Sequence, residues 1–316
     1  MAMTGIITDV KKIENYMLGG VKDRIVKSAP HTPIITNCTI EEFNQRCIID
    51  QKPLVLRGST NKWSTDSWDL DFFAQNYGKL KVYNNLYDPN KISLLTINDI
   101  IQKIKTATED KPEYLQEWCF QEEAPELMKD FIIPEYFAND LNKDFFGYYN
   151  STLWIGSKGA NTHIHQDSVF VNVWSAQIKG KKQWILYDRN AVLNEKNGEP
   201  DFDEFLANKS NNIMYCNLEV GDILFIPFKW WHRAETLEIS ISLNTFYITK
   251  EIQQRFLKDL FSLPAALALN KDLLSDYDVK RYNITYARIK TFCRLMGFDP
   301  NNVLNIPVTD KEEIAA

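Results

Sequence analysis

The segment NTHIHQDSVF, residues 161–170, holds two of the four histidines of this 316-residue chain, one residue apart, with an aspartate two places further on. On an extended strand residues i, i+2 and i+4 share a face, so His163, His165 and Asp167 can converge on one point. Imidazole together with carboxylate suits a first-row transition metal better than calcium or magnesium. A further histidine, His232, stands in GDILFIPFKWWHRAE, where a glycine-led turn feeds an apolar strand expected to end in Trp230, Trp231 and His232. Pairing of that strand with the first would bring His232 beside the pair. Two histidines, one carboxylate and open positions make the facial arrangement of non-haem iron(II) centres. A set of His163, His165 and His232 is the other reading of the same residues. His31, in the polar stretch APHTPII, reads as an ordinary hydrogen-bonded histidine.

A second candidate for chemistry is the lysine cluster in QIKGKKQWILY. Lys179 and Lys181 read as solvated residues of a hairpin turn. Lys182 begins a strand whose same-face residues are Trp184 and Leu186, so its ammonium can point inward as a desolvated point charge. The strand LEISISLNTFYI places Glu238, Ser240, Ser242, Asn244 and Phe246 on one face and mostly aliphatic residues on the other. A polar face of this kind either meets water or lines a ligand-holding lumen, and barrel mouths commonly hold ligands.

The elements that would position these groups follow from periodicity. Residues 39–145 alternate helical and strand-like pieces: TIEEFNQRCI opens with a capping-box pattern, TINDIIQKIKTA repeats apolar residues at helical spacing, and KPLVLRG and KLKVYNN read as strands. From about 146 to 250, STLWIGSKG, VNVWSAQIKG, KQWILYD, NIMYCNLEVGDILFIP and EISISLNTFYI form a succession of glycine-punctuated strands, which predicts an antiparallel barrel or sandwich. After residue 250 the pattern turns helical. Ile252, Phe256, Leu257, Leu260 and Phe261 make a stripe that must be covered, either by the chain's own sheet or by a second copy in a homodimer.

Composition excludes some classes. With 36 basic against 42 acidic residues and a net charge of −6, no broad phosphate-tracking surface is expected, and nucleic acid is not an expected partner. No run reaches the roughly 20 apolar residues of a membrane helix, and the start of the chain lacks a secretory h-region, so a soluble cytoplasmic protein is expected. Five scattered cysteines without a C-x-x-C pair read as reduced thiols.

In order along the chain, LWIGSKGANTHIHQD, QIKGKKQW and GDILFIPFKWWHRAETLEISISLNTF resemble the JmjC-domain family of iron(II)- and 2-oxoglutarate-dependent oxygenases. The likeness is greatest to its small protein hydroxylases, such as those that hydroxylate asparagine in hypoxia-inducible factor. KPLVLRGSTNKW is similar to the entry to that fold. The resemblance implies a mainly β protein with flanking helices, a double-stranded β-helix of cupin or jelly-roll type. Its parts are an N-terminal extension over 1–34, the catalytic domain over 35–250 and a C-terminal helical region over 251–316. It implies Fe(II) held by His165, Asp167 and His232, with His163 next to the ligands or facing substrate, and 2-oxoglutarate as co-substrate anchored on Lys182.

Thr162, Tyr114 and Asn244 match positions that contact the co-substrate in the family, and Asn244 already lies on the polar face. Strict alternation turns Thr162 away from His165, so a bulge or bend is required there. Trp174 is a further candidate neighbour of the centre or of substrate, with barrel packing as its other reading. Phe246 stands where the asparaginyl hydroxylases have tryptophan, so their pocket shape does not carry over. The expected reaction is hydroxylation of a protein or peptide side chain. Alternatives are a small-molecule hydroxylase, an N-methyl demethylase, or a non-catalytic binding module of the same fold.

Overall fold

The computed structural model describes residues 22–88, 90–121, 123–139, 151–167, 170–196, 199–253 and 255–256. The helices among them are α1 (Lys22–Ser28), α2 (Ile40–Phe43), α3 (Leu70–Tyr77), α4 (Ile97–Thr106) and α5 (Phe202–Ala207). The strands are β1 (Ile34–Thr36), β2 (Leu54–Arg57), β3 (Lys81–Asn84), β4 (Ser93–Thr96), β5 (Tyr114–Trp118), β6 (Thr152–Gly156), β7 (Asn161–His165), β8 (Asn172–Lys179), β9 (Lys182–Tyr187), β10 (Glu195–Lys196), β11 (Glu199–Pro200), β12 (Met214–Leu218), β13 (Ile223–Ile226), β14 (Trp231–Thr236) and β15 (Ser240–Tyr247).

Two sheets carry the structure. One runs β1-β2-β13-β8-β15-β6-β5-β3-β4 and the other β12-β9-β14-β7, with β10-β11 a separate small hairpin. Apart from the parallel β1–β2 pair, the ladders are antiparallel. The sheets face one another as a jelly roll: Val55, Leu224 and Ile226 of the large sheet share a buried cluster with Trp184, Leu186, Cys216, Leu218 and Ala234 of the small one.

The main core lies on the other side of the large sheet. Leu153, Ile155, Trp174, Ala176, Ile223, Phe225, Ile241 and Leu243 pack there against helical residues that include Phe43, Phe73, Ile100, Ile101 and Ile104. Local sequence explains the helices. Thr39 and Glu42 close a full capping box at α2. In α4, Thr96 caps the N-terminus and Ile97, Ile100, Ile101 and Ile104 form one buried stripe, with Lys103 and Lys105 in the last turn.

The chain divides into two compact units, residues 1–167 with 171–248, and residues 168–170 with 249–316. In the second, a helix starts at residue 250, Ile252 and Phe256 are buried, and the Arg255 guanidinium lies 5.9 Å from the Phe170 ring centre. The rest of the expected C-terminal helical region, with Leu257, Leu260 and Phe261, lies outside the described residues. Among the described residues no helix is long and apolar enough to cross a membrane.

One expected boundary differs. The apolar strand does not run on into Trp230–His232: β13 ends at Ile226, and the chain turns through Pro227–Trp230 before β14 begins at Trp231. Pro227 has no N–H to give to a ladder, and Lys229 takes a left-handed φ of 60°, far from the extended range of a regular strand. His232 is therefore the second residue of a new strand.

Gly180 governs the β8–β9 turn and hence the phase in which Lys182 enters β9. Its φ is +64°, and a Cβ there would sit 2.1 Å from the Ile239 carbonyl oxygen. Gly180→Ala should therefore destabilise the fold by about 2 kcal/mol or more. Urea unfolding measures this, and an unchanged midpoint would show that the turn is not constrained as described.

Candidate functional site

Strands β7 and β14 are adjacent, and their register sets the candidate centre. His232 pairs with His165 and Ala234 with Thr162, so two residues of β7, His163 and Ile164, stand opposite Arg233 alone. This bulge shifts the alternation by one. His165 and Thr162 thereby share a face with His232 and Ala234, and His163 is turned out to an exposed position. The bend that Thr162 required is thus present. Its hydroxyl accepts the Ala234 N–H at 3.1 Å and keeps its own proton to donate.

Ligand atoms of His165, Asp167 and His232 all lie within 4.8 Å of one another, and the two imidazole centres are 4.2 Å apart. Nδ1 of His165 lies 2.7 Å from the His163 carbonyl oxygen, and Nδ1 of His232 lies 3.0 Å from that of Trp230. A carbonyl only accepts, so Nδ1 carries the proton in both rings and the Nε2 lone pairs are left for a cation. Burial, with His165 next in effect, pushes His232 down to about 4, so it is neutral at physiological pH as a ligand must be. Asp167 lies just beyond the end of β7. Lys229 Nζ donates to its carbonyl oxygen at 2.7 Å, and Gln166 Nε2 donates to the carbonyls of Lys229 at 2.8 Å and Arg189 at 3.3 Å. These bonds tie the Gln166–Asp167 segment to the turn before His232.

Lys182 is on the same sheet as the two histidines, in the strand next to β14, with Trp184 and Leu186 on its side of β9 and Thr236, Ala234 and His232 beside them in β14. It is 2 % exposed, and its ammonium donates to Ser242 Oγ at 2.7 Å and Tyr114 Oη at 3.0 Å. Among the described residues no carboxylate pairs with it. Burial lowers its pKa to about 7 and raises that of the Tyr114 phenol, which keeps its proton and can donate it onward. A buried ammonium with two hydroxyls and no counter-ion is suited to the carboxylate of a small molecule.

Asn244 is level with Thr152 of β6 and Ser175 of β8, and its Oδ1 accepts the Ser175 hydroxyl at 2.7 Å, which fixes the amide. The polar face of β15 does line the interior: Ser240 and Ser242 are fully buried. Trp174 is a correction. It is one residue out of phase with the lumen-facing Ser175, stacks on Phe137 at 5.2 Å and belongs to the main core behind the sheet. It is not a neighbour of the candidate centre. Ser242, Gln166 and Lys229 were not singled out from the sequence as partners of the site. Ser242 lay on the polar face, whereas nothing in the local pattern marks Gln166 or Lys229.

A two-sheet barrel whose lumen brings two imidazoles and a carboxylate to one point is a cupin architecture with a candidate metal centre. The chain belongs to that family, in its JmjC branch: the cupin-like domain family matches residues 40–252. It is similar to lysine-specific demethylase JMJ21 of Arabidopsis thaliana, 28% identical over 239 residues, 68% of this chain and 25% of that protein. It is also similar to lysine-specific demethylase 8 of Xenopus tropicalis, 27% identical over 66% of this chain and 51% of that protein. A third relative, tRNA wybutosine-synthesizing protein 5 of Gallus gallus, is 24% identical over 69% of this chain and 77% of that protein. The chain spans only a quarter to about half of the length of these demethylases. The expectation against nucleic acid, drawn from charge, gains no support from the third relative.

The buried lysine has a stability consequence. Because its folded pKa is lowered to about 7, the unfolded chain binds more protons than the folded one from there up to the ordinary lysine range, and stability rises with pH across that window. Below it the full cost of burying the charge is present. Lys182→Met should stabilise the ligand-free protein by on the order of 1–4 kcal/mol at about pH 6, with the gain fading towards about pH 10. Urea titrations at the two pH values check this. A variant less stable at the lower pH would show that the lysine is a structural asset instead.

Proposed function

We propose that the chain is an Fe(II)- and 2-oxoglutarate-dependent oxygenase that hydroxylates a side chain of a protein or peptide. The observation that carries this reading is the convergence of His165, Asp167 and His232 on one point of a lumen in which the neighbouring strand β9 buries Lys182, with no counter-ion among the described residues. Two imidazoles and one carboxylate fit iron(II) and leave positions for a bidentate keto acid. Charge fits as well: a divalent ion less one aspartate, plus protonated Lys182, presents two positive charges to a dianion.

Iron and 2-oxoglutarate, when bound, would couple dioxygen to C–H hydroxylation: one oxygen atom goes to the substrate and the other to the succinate left when 2-oxoglutarate loses carbon dioxide. The chain's residues hold and shield. The backbone carbonyls of His163 and Trp230 fix the two imidazoles, and Lys229 fixes Asp167. Lys182, Tyr114 and Ser242 receive the distal carboxylate, the Thr162 hydroxyl and the Asn244 amide orient the co-substrate, and the apolar walls around Trp184 and Leu186 keep water out. His163, exposed beside the centre, faces substrate.

A second reading is N-methyl demethylation, favoured by relatives named as lysine- and arginine-specific demethylases. It uses the same C–H hydroxylation on a methyl carbon, and product mass separates the two: one oxygen gained against one methylene lost.

Asp167→Ala and His232→Ala should each abolish stoichiometric iron binding and succinate formation, while His163→Ala keeps the metal. Lys182→Met should weaken 2-oxoglutarate binding by about ten- to a hundredfold, the range of a lost charge-assisted hydrogen bond. Metal titration, succinate assay and mass spectrometry of a peptide panel measure these outcomes. Retention of iron by Asp167→Ala with its loss in His163→Ala would overturn the ligand set, and intact protein that binds neither metal nor 2-oxoglutarate would overturn the function.

A further inference from the structure

A basic border surrounds the candidate centre on the side of the β13–β14 turn. His232 Nδ1 donates to the Trp230 carbonyl at 3.0 Å, and Trp230 Nε1 donates to the Gln51 carbonyl at 3.1 Å. The Gln51 side-chain oxygen accepts from the Arg189 guanidinium at 3.3 Å. That guanidinium lies 4.0 Å from the ring centre of Phe228, next in sequence to Lys229, whose ammonium holds Asp167. The Arg189 carbonyl is itself held by Gln166, the residue between two of the candidate ligands. Lys52 completes the border with its ammonium 5.6 Å from the Trp230 ring centre. Basic residues are thus concentrated at this point of an acidic chain.

Among these cations Arg189 is in an unusual state. It is half-buried, and burial lowers its pKa against the weaker opposing pull of the adjacent Asp188. Asp188 itself lies 3.8 Å from Lys52. Among the described residues no carboxylate is within ion-pair distance of Arg189, and its one side-chain hydrogen bond is the long one to Gln51. A guanidinium has five donors in a planar fork, so most of the fork is left over. A partly desolvated fork laid on an aromatic ring is preorganised for a planar, bidentate anion.

We propose that Arg189, stacked on Phe228, is a specificity subsite that binds the carboxylate of an aspartate or glutamate side chain in a peptide or protein substrate, close in sequence to the residue that is oxidised. The proposal rests on the oxygenase reading above and deepens it by naming a feature of the substrate. A protein side chain fits better than a phosphate chain: Lys52 is engaged by Asp188 and Lys229 by the Asp167 carbonyl, so one fork is left to match one carboxylate.

The test uses the full chain with Co(II) and 2-oxoglutarate and a synthetic peptide library in which each position in turn is fixed as Asp, Glu, Asn, Gln or Lys. Retention on the wild-type protein should favour Asp or Glu at one position by about tenfold over the amide analogues. Arg189→Gln should abolish that preference and Arg189→Lys should restore part of it, with Co(II) affinity as the control for an intact centre. Wild-type protein with no acidic preference, or Arg189→Gln with the preference undiminished, overturns the proposal, as does stronger competition by oligouridylate than by acidic peptides in an Arg189-dependent manner. Failure of the wild type to bind Co(II) sinks the oxygenase reading instead, and the peptide preference is scored separately from it.

Discussion

The costliest feature of the fold is a charge with nowhere to go. Lys182 enters the barrel at the first residue of β9, and the pleat that aims Trp184 and Leu186 into the lumen aims the ammonium there too. Much of the surrounding structure is arranged around that commitment. Ser242 comes from the neighbouring sheet and Tyr114 from β5, so the lysine stitches the two layers with hydrogen bonds that only partly offset its lost hydration. A barrel built for stability alone would place an aliphatic residue here. Retaining the cation makes sense where an anion completes it, and stability given up in the empty state then returns as binding energy.

The centre is assembled by a different device. The strand pair β7–β14 supplies the two imidazoles and the segment just after β7 supplies Asp167, yet neither strand achieves this by regular pleating. The bulge at His163–Ile164 rephases one strand, and the break at Pro227–Trp230 restarts the other. Irregularity is thus placed where the ligand atoms meet, and the regular ladders β9–β14 and β12–β9 provide the stiff background.

These two devices explain what could be read beforehand and what could not. The helices followed from local signals, since a capping box at Thr39 and an isoleucine stripe in α4 are properties of contiguous residues. The polar lumen face of β15 and the inward aim of Lys182 followed from period-two alternation, which these strands obey. Trp174 was misplaced because alternation fixes that two faces exist and not which one meets the lumen; the identity of Ser175 and its bond to Asn244 decide it. The end of β13 was overrun because the apolar pattern continues through Phe228 and Trp230 although the hydrogen-bonding pattern does not. Gln166 and Lys229 act through backbone carbonyls of residues distant in sequence, and no composition or spacing rule encodes such contacts.

Burial across the centre is graded. The His232 imidazole is deep in the barrel, whereas the side chains of His165 and Asp167 retain 40% and 24% of their accessible surface. The centre therefore has a protein side and a water side. A cation arriving from solution would meet the short segment after β7 first, because His165 and Asp167 are the exposed members of the set. Retention of an ion there would depend on how stiffly His165–Asp167 is held, which falls to the few hydrogen bonds that tie Gln166 and Asp167 to Arg189 and Lys229.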